Sequence, residues 1–383
     1  MNAQMNSAHS VKGRTVRTLD LAAIAASIAL IAVSCWTVVP GPILPALILS
    51  VAIAELSAFA LPFAGLLTIA IAALARGRAR VIALTLSLTA VACIAWPLAA
   101  FPFSRSSASA ALDAAGLPAW RSSNRTAFTV DRDLPVPLRG GGRLALDLYR
   151  PRGMSSHPLV VTVYGGAWAF GSRAAETGLA SRWASRGYAV AVLDYRHAPG
   201  ARFPAQLEDI EDGLRTIARR QREWHVDGSR VVLFGRSAGA QLALLAAERT
   251  QPLHVRGVVA LYAPVDLKGG WETPPRPDPA DVRTILETYL GGTPRMRADA
   301  YAAASPLLHV HTQMPGALLI IGDRDELVLP RFQRAFAAHL RAAGVPVVAL
   351  ELPWSNHAFD VVDGLGAAIA DDAESRFIAA AVR

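Results

Sequence analysis

Residues 230–246 read RVVLFGRSAGAQLALLA. Val231 to Phe234 make an uninterrupted apolar run, and from Ala238 onward the residues are good helix formers, so the stretch predicts a buried strand that turns directly into a helix. Gly235 and Gly239 flank the corner, where so tight a turn leaves no room for side chains, and the hydroxyl of Ser237 is lifted out at the strand end. A serine so placed is a candidate nucleophile. The bare G-x-S-x-G pattern is weak, and its position between strand and helix gives it weight.

The same kind of run recurs on both sides. PLVVTVY (158–164), YAVAVLDY (188–195), GVVALYAP (257–264), GALLIIGD (316–323) and PVVALELP (346–353) are continuously apolar, as strands buried on both faces are. AFTVDRD (127–133) and RLALDLYRP (143–151) alternate instead, as half-exposed antiparallel strands do. Helical patterns fill 175–186, 205–222, 238–249, 329–343 and 366–382. The expectation is an α/β domain over 127–383 with a doubly wound, mostly parallel sheet. Ligands then bind at the carboxyl ends of the strands, so the residues following each run carry the chemistry.

A serine hydroxyl needs a base. In folds with this corner, the acid and then the histidine follow the serine in chain order. Of nine histidines, His357 in LPWSNHAFD (352–360) stands just after the last apolar run. His309 and His311 precede any plausible acid; their spacing suits a metal, but with no neighbouring carboxylate they read as structural. For the acid, GDRDELVLP (322–330) offers Asp323 and Asp325, whereas Asp360 is too close to His357 in sequence. The strand ending at Tyr164 runs into Gly165, Gly166 and Ala167. Backbone N–H groups on a loop without side chains can approach a developing oxyanion closely, and the N–H of Ala238 completes the set. Each such donor is worth about 3 kcal/mol.

At this point the chain resembles the α/β-hydrolases, whose acid often appears as G-x-x-D-x-x-V. Gly322, Asp325 and Val328 match, which favours Asp325 and leaves Asp323 to brace the turn. VYGGAWAFG (163–171) resembles the HGG-type loop of the hormone-sensitive-lipase-like and BD-FAE-type carboxylesterases, and DYRHAPGARFPAQLEDI (194–210) resembles their D-Y-R-x-A-P segment. The resemblance spans about 127–383. It implies that Asp194, Tyr195, Arg196 and Pro199 fix a loop beside the site and that Asp209 anchors it to the next helix. Tyr164 stands where the family carries a histidine that braces the loop. Trp168 and Trp354 are candidates to wall the pocket. Residues 269–292, with prolines and Trp271, suggest an irregular lid within 263–310.

The front of the chain is different. From residue 19 to about 103 it is apolar enough for about three transmembrane helices, at 19–39, 52–75 (kinked, with an interfacial lead-in) and 81–101. Lys12, Arg14 and Arg17 precede the first and Arg76, Arg78 and Arg80 separate the second and third, which puts residues 1–18 on the cytoplasmic side. Three spans deliver the later domain to the outer face of a bacterial cytoplasmic membrane, through a Ser/Ala-rich linker at 104–126. A cleaved signal peptide would also explain the first span, but Ala32 stands where a lipoprotein site before Cys35 usually has Leu.

Of the formal net charge of +8, residues 1–105 supply +5 (seven Lys or Arg minus Asp20 and Glu55), so the outer domain gives no reason to expect nucleic acid. Both cysteines, Cys35 and Cys93, lie in apolar spans, which leaves the outer domain without a disulfide framework. The resulting expectation is a membrane-anchored serine hydrolase acting on small carboxylic esters, with no metal or organic cofactor. Its partners are the ester and the lipid bilayer, and its oligomeric state is open. Two alternatives stand beside it. One is an amide-cleaving relative resembling the arylformamidases, whose G-G-x-W loop matches Gly165, Gly166 and Trp168; the other is a catalytically silent, membrane-tethered scaffold.

Overall fold

The continuous apolar runs form the parallel strands of one eight-stranded sheet, ordered β1-β2-β4-β3-β5-β6-β7-β8. The computed structural model describes residues 2–119, 125–153, 155–249 and 252–383. The strands are β1 (Phe128–Pro137), β2 (Arg143–Pro151), β3 (His157–Val163), β4 (Ala189–Leu193), β5 (Val226–Arg236), β6 (Val255–Leu261), β7 (Gly316–Gly322) and β8 (Val347–Leu352). β1 and β2 pair antiparallel, as their alternating pattern predicts, and β2 joins β4 antiparallel. From β4 to β8 every neighbouring pair is parallel.

Twelve α-helices are described. In chain order they are α1 (Asn2–Ser34), α2 (Leu44–Glu55), α3 (Ser57–Leu74), α4 (Gly77–Ala114), α5 (Thr177–Ser185), α6 (Ala205–Arg220), α7 (Ala238–Glu248), α8 (Leu267–Glu272), α9 (Val282–Leu290), α10 (Ala298–Ala303), α11 (Pro330–Ala342) and α12 (Leu365–Ala381).

Side chains alternate across each strand, and both faces are covered. Val161, Val163, Leu233 and Leu319 point to one side, under Leu207, Ile210 and Leu214 of α6, the apolar face of α7 and Phe336 of α11. Val160, Val232, Phe234, Leu318 and Ile320 point to the other, under Trp183 of α5 and Ile369, Ala373 and Phe377 of α12. Burying each large aliphatic side chain in these layers contributes about 1.5–3 kcal/mol. Two-sided burial is the physical reason the runs carry no polar alternation.

Three expectations change. The segment around 269–292 is irregular only in its middle: α8 and α9 are separate short helices joined by residues 273–281, which carry Pro274, Pro275, Pro277 and Pro279. Asp266 accepts from Gly269 N (2.8 Å) and Asp281 from Thr284 N (3.3 Å), so side-chain caps start each helix where the prolines only space them. The first half of the linker expected at 104–126 is helix, since α4 continues to Ala114. Ala108 and Leu112 are buried against the α12 side of the sheet, and Arg376 of α12 binds Ser109 Oγ, the carbonyl of Leu117 and Asp113. That packing carries an Ala-rich sequence on as helix, and residues 120–124 of the expected linker lie outside the described residues. In the block expected as one kinked span at 52–75 with an interfacial lead-in there is one candidate span, α3, and the chain before it is a separate short helix, α2; the two meet at Leu56.

Three N-terminal segments, Arg17–Thr37, Ser57–Leu74 and Gly77–Ala114, are long and apolar enough to cross a membrane by length and composition. α4 packs against both α1 and α3.

Candidate active site

β5 ends at Arg236 and α7 begins at Ala238, with Ser237 between them at φ 51°, ψ −123°. No ordinary side-chain-bearing residue prefers that conformation, so it persists only where its surroundings enforce it. The backbone N–H of Ser237 donates to Leu261 O of β6 (3.0 Å). A Cβ on Gly235 would lie 2.4 Å from Gly239 O, and one on Gly239 would lie 2.2 Å from Val163 O. The two glycines let strand, corner and helix close on one another and on β3.

The sheet brings two loops to the same edge. Ser237 Oγ lies 3.0 Å from His357 Nε2, and His357 Nδ1 lies 2.8 Å from Asp325 Oδ2. Asp325 Oδ1 accepts from the N–H groups of Leu327 (2.9 Å) and Val328 (2.7 Å), so the carboxylate cannot swing. With Nδ1–H given to Asp325, Nε2 presents a lone pair to the serine O–H. Asn356 Oδ1 accepts from the N–H of Glu326 (3.0 Å) and of His357 (2.8 Å), which ties the acid loop to the histidine loop.

Asp323 stands elsewhere. Its side chain pairs with Arg334 of α11 (2.5 Å), and it contacts neither His357 nor Ser237. Asp360 reaches Arg236 Nε (2.5 Å) and accepts from Tyr262 O–H (2.5 Å). Arg236 also binds Glu176 of the α5 approach (2.9 Å). Burial works against the Arg236 charge, but Asp360 and Glu176 more than offset it and raise its pKa well above the ordinary value. This buried ion group lies directly under the corner and was not visible in the sequence.

The loop after β3 carries successive positive φ angles at Gly166 (131°), Ala167 (50°) and Trp168 (58°). Such a run gathers N–H groups on one concave side. A Cβ on Gly165 would meet Arg236 O at 2.9 Å, and one on Gly166 would meet Phe170 O at 2.1 Å. Among the described residues, the N–H groups of Gly166 and Ala167 have no acceptor elsewhere in the protein. Ala238 N–H, in the first turn of α7, has none within its helix.

Tyr164 sits under this loop, fully buried. Its O–H donates to Asp194 Oδ1 (2.5 Å) and lies 3.0 Å from His197 Nε2, and its ring stacks on Tyr195 at 4.5 Å. Asp194 also accepts from Tyr195 N (3.0 Å), and Asp209 of α6 holds both Arg196 N (2.8 Å) and its guanidinium. The 194–209 segment is therefore tied to the loop on one side and to α6 on the other.

Trp168 Nε1 donates to Gln241 Oε1 (3.0 Å), and its ring stacks on Tyr289 of α9 at 4.1 Å. It walls an apolar cleft with Val265, Leu286, Val328 and Phe332, and Ser237 and His357 open onto the same cleft. Trp354 does not line the cleft; it packs edge-on against Phe101 of α4. His309 and His311 donate from Nε2 to the carbonyls of Ala302 (3.0 Å) and Glu248 (2.9 Å). Among the described residues no group of three or more His, Cys, Asp or Glu could hold a metal.

Strand order, strained serine corner and the two converging loops define an α/β-hydrolase. Within that class the chain belongs to the BD-FAE family, whose family model matches residues 146–340. The match takes in Ser237 and Asp325 and stops before His357, a narrower extent than the 127–383 expected. Among curated proteins the chain is similar to the esterase LipC of Mycobacterium tuberculosis, 30% identical over 236 residues, covering 57% of this chain and 58% of that one. It is also similar to the esterase LipQ of the same organism, 28% identical over 260 residues, covering 63% and 61%. The chain thus spans less than two thirds of either relative. A hyperthermophilic esterase from the archaeon Pyrobaculum calidifontis superposes with a TM-score of 0.58 at 26% identity, covering 74% of this chain and 94% of that one.

Proposed function

We propose that this chain is a membrane-anchored serine hydrolase that cleaves carboxylic esters through an acyl-enzyme. The observation that carries the proposal is the unbroken relay from Ser237 Oγ to His357 Nε2 (3.0 Å) and from Nδ1 to Asp325 (2.8 Å), opening onto an apolar cleft. Ser237 Oγ attacks the ester carbonyl while His357 takes its proton; the tetrahedral oxyanion accepts hydrogen bonds from the N–H groups of Gly166, Ala167 and Ala238. As the C–O bond breaks, His357 returns the proton to the leaving alcohol. Water, deprotonated by the same imidazole, then releases the acid and regenerates Ser237. Asp325 stabilises the imidazolium at each stage. The cleft lining suits the apolar acyl group of a small ester, and the relatives' names as esterases support the same bond type.

The membrane part of the proposal assigns residues 1–18 to the cytoplasm, 19–103 to a membrane domain of about three transmembrane helices whose connection around 38–56 lies on the outer face, and 127–383, with a lid within 263–310, to the catalytic domain on that face. Large apolar side chains exposed on the N-terminal helices, Leu21 (69%), Phe59 (77%), Phe63 (69%) and Leu66 (68%) among them, support a lipid surrounding. An inactive periplasmic phosphatase fused after Arg383 would refute the orientation. The catalytic proposal is tested with a fluorophosphonate probe: the full-length protein is expected to label, and Ser237→Ala is expected not to. An unlabelled wild-type protein would end the proposal.

A further inference from the structure

Glu55 closes α2, outside the span matched by the family, and its carboxylate is buried (2% exposed). Both of its oxygens leave the N-terminal helices. Oε1 accepts from Ser355 Oγ at 2.6 Å, and Oε2 accepts from Gly366 N at 2.5 Å, at the start of α12. Ser355 is two residues before His357, and its carbonyl accepts from the N–H of Arg324 (3.1 Å), the residue before Asp325. A Cβ on Gly364 would come within 2.5 Å of Glu55 Cβ, so the chain beyond His357 is shaped to receive this side chain.

A second contact repeats the theme. Gly41 N, in the α1–α2 connection, donates to Glu326 Oε2 (2.9 Å), while Glu326 Oε1 accepts from Asn356 Nδ2 (2.9 Å). Arg324 binds the carbonyl of Thr37. The loop bearing Asp325 and the loop bearing His357 are therefore both held by the N-terminal helical segment. Removing water from a carboxylate costs several kcal/mol, recovered only by well-made bonds. Here both bonds go to the chain on either side of His357.

We propose that Glu55 is a positioning residue for His357, and that the N-terminal segment is part of the catalytic machinery as well as an anchor. The inference rests on the Ser237–His357–Asp325 proposal above. It is tested in the full-length protein with Glu55→Ala, Glu55→Gln, Ser355→Ala and the Glu55→Ala/Ser355→Ala double variant. The quantities measured are labelling stoichiometry and rate with a fluorophosphonate, and kcat and KM on p-nitrophenyl butyrate. Stoichiometry reports the folded fraction, and the rate reports the geometry of what is folded.

Glu55→Ala is expected to lower kcat and the labelling rate by roughly 10- to 100-fold with KM changed by less than about 2-fold, since a displacement near 1 Å costs on that order. Gln should recover part of the loss, because its carbonyl can still accept from Ser355 although its NH2 opposes Gly366 N–H. The double variant should match Glu55→Ala alone. A Glu55→Ala protein with full stoichiometry and a wild-type labelling rate would overturn the inference. Should that variant not fold, Ser355→Ala carries the test, and a wild-type rate there overturns it equally. Failure of the wild-type protein to label at all would instead sink the catalytic proposal on which this rests.

Discussion

Replacing Tyr164 by Phe removes one oxygen from beneath the loop of converging N–H groups. That oxygen donates to Asp194 at 2.5 Å and lies 3.0 Å from His197 Nε2. A buried hydrogen bond to a charged group contributes about 1.5–3 kcal/mol. Asp194 is not stranded by the change: it keeps Tyr195 N at 3.0 Å and Arg173 at 3.8 Å, and its side chain is 28% exposed, so water restores part of the loss. The net cost is then about 1–2 kcal/mol, or roughly 2–8 °C in melting temperature. The ring stays in place, stacked on Tyr195 and packed under Gly171, where an added Cβ would sit 2.7 Å from Tyr164 Cδ2. The donors above it keep their position, and kcat is expected to fall by less than about 10-fold. Burial, reinforced by Asp194, raises the phenol pKa far above its ordinary value, so the hydroxyl remains a donor and the effect should not vary with pH. Tyr164→Ala, by contrast, removes the support itself and should cost about 3–5 kcal/mol. Thermal unfolding by tryptophan fluorescence and turnover of p-nitrophenyl butyrate measure both quantities. A thousandfold loss of kcat in Tyr164→Phe at unchanged melting temperature would place the hydroxyl in the chemistry and refute this account; an unchanged melting temperature at full activity would show that the bond bears no load.

Gly239→Ala puts a Cβ 2.2 Å from Val163 O and 2.3 Å from Tyr164 O, both backbone, so helix and strand must part and Ser237 must leave His357. Turnover per labelled site should drop at least about 100-fold, and wild-type turnover would show that the corner is not built this way. Glu374 is 1% exposed, and burial pushes its pKa from 4.5 to about 8 although Arg182, at 3.6 Å, pulls it down. A carboxyl raised in the folded state contributes stability that is complete below its unfolded pKa and lost as pH climbs through the folded one, at up to about 1.4 kcal/mol per pH unit. Glu374→Gln cannot titrate, so urea unfolding of that variant should vary less between pH 5 and 8 than wild type; parallel curves would contradict the assignment.

The parts of the fold legible in the sequence are those where one physical requirement leaves one mark. Strands covered on both faces must be apolar throughout, and Val160 and Val161, pointing to opposite layers, show why no alternation survives. The serine corner is legible because two glycines are sterically compelled there. Asp323 and Asp325 are separated by one residue and carry the same side chain, and only the path of the turn sends one to Arg334 and the other to His357. Helices α8 and α9 were hidden by the prolines between them, although Asp266 and Asp281 are cap signals present in the sequence. Arg236 and Glu55 left no local mark at all. Their partners lie 124 and 300 residues away, at Asp360 and Ser355, and no spacing rule reaches that far.

The 120 residues separating Ser237 from His357 also impose an order in time. A chain grows from its N-terminus and its units fold as they emerge. The residues of the serine corner therefore emerge before the imidazole that, on the proposed mechanism, activates the hydroxyl. On that mechanism the Ser237 hydroxyl stays unactivated until β8 pairs with β7 and the next loop docks on Glu55. Completion of the last strand acts as the safety catch.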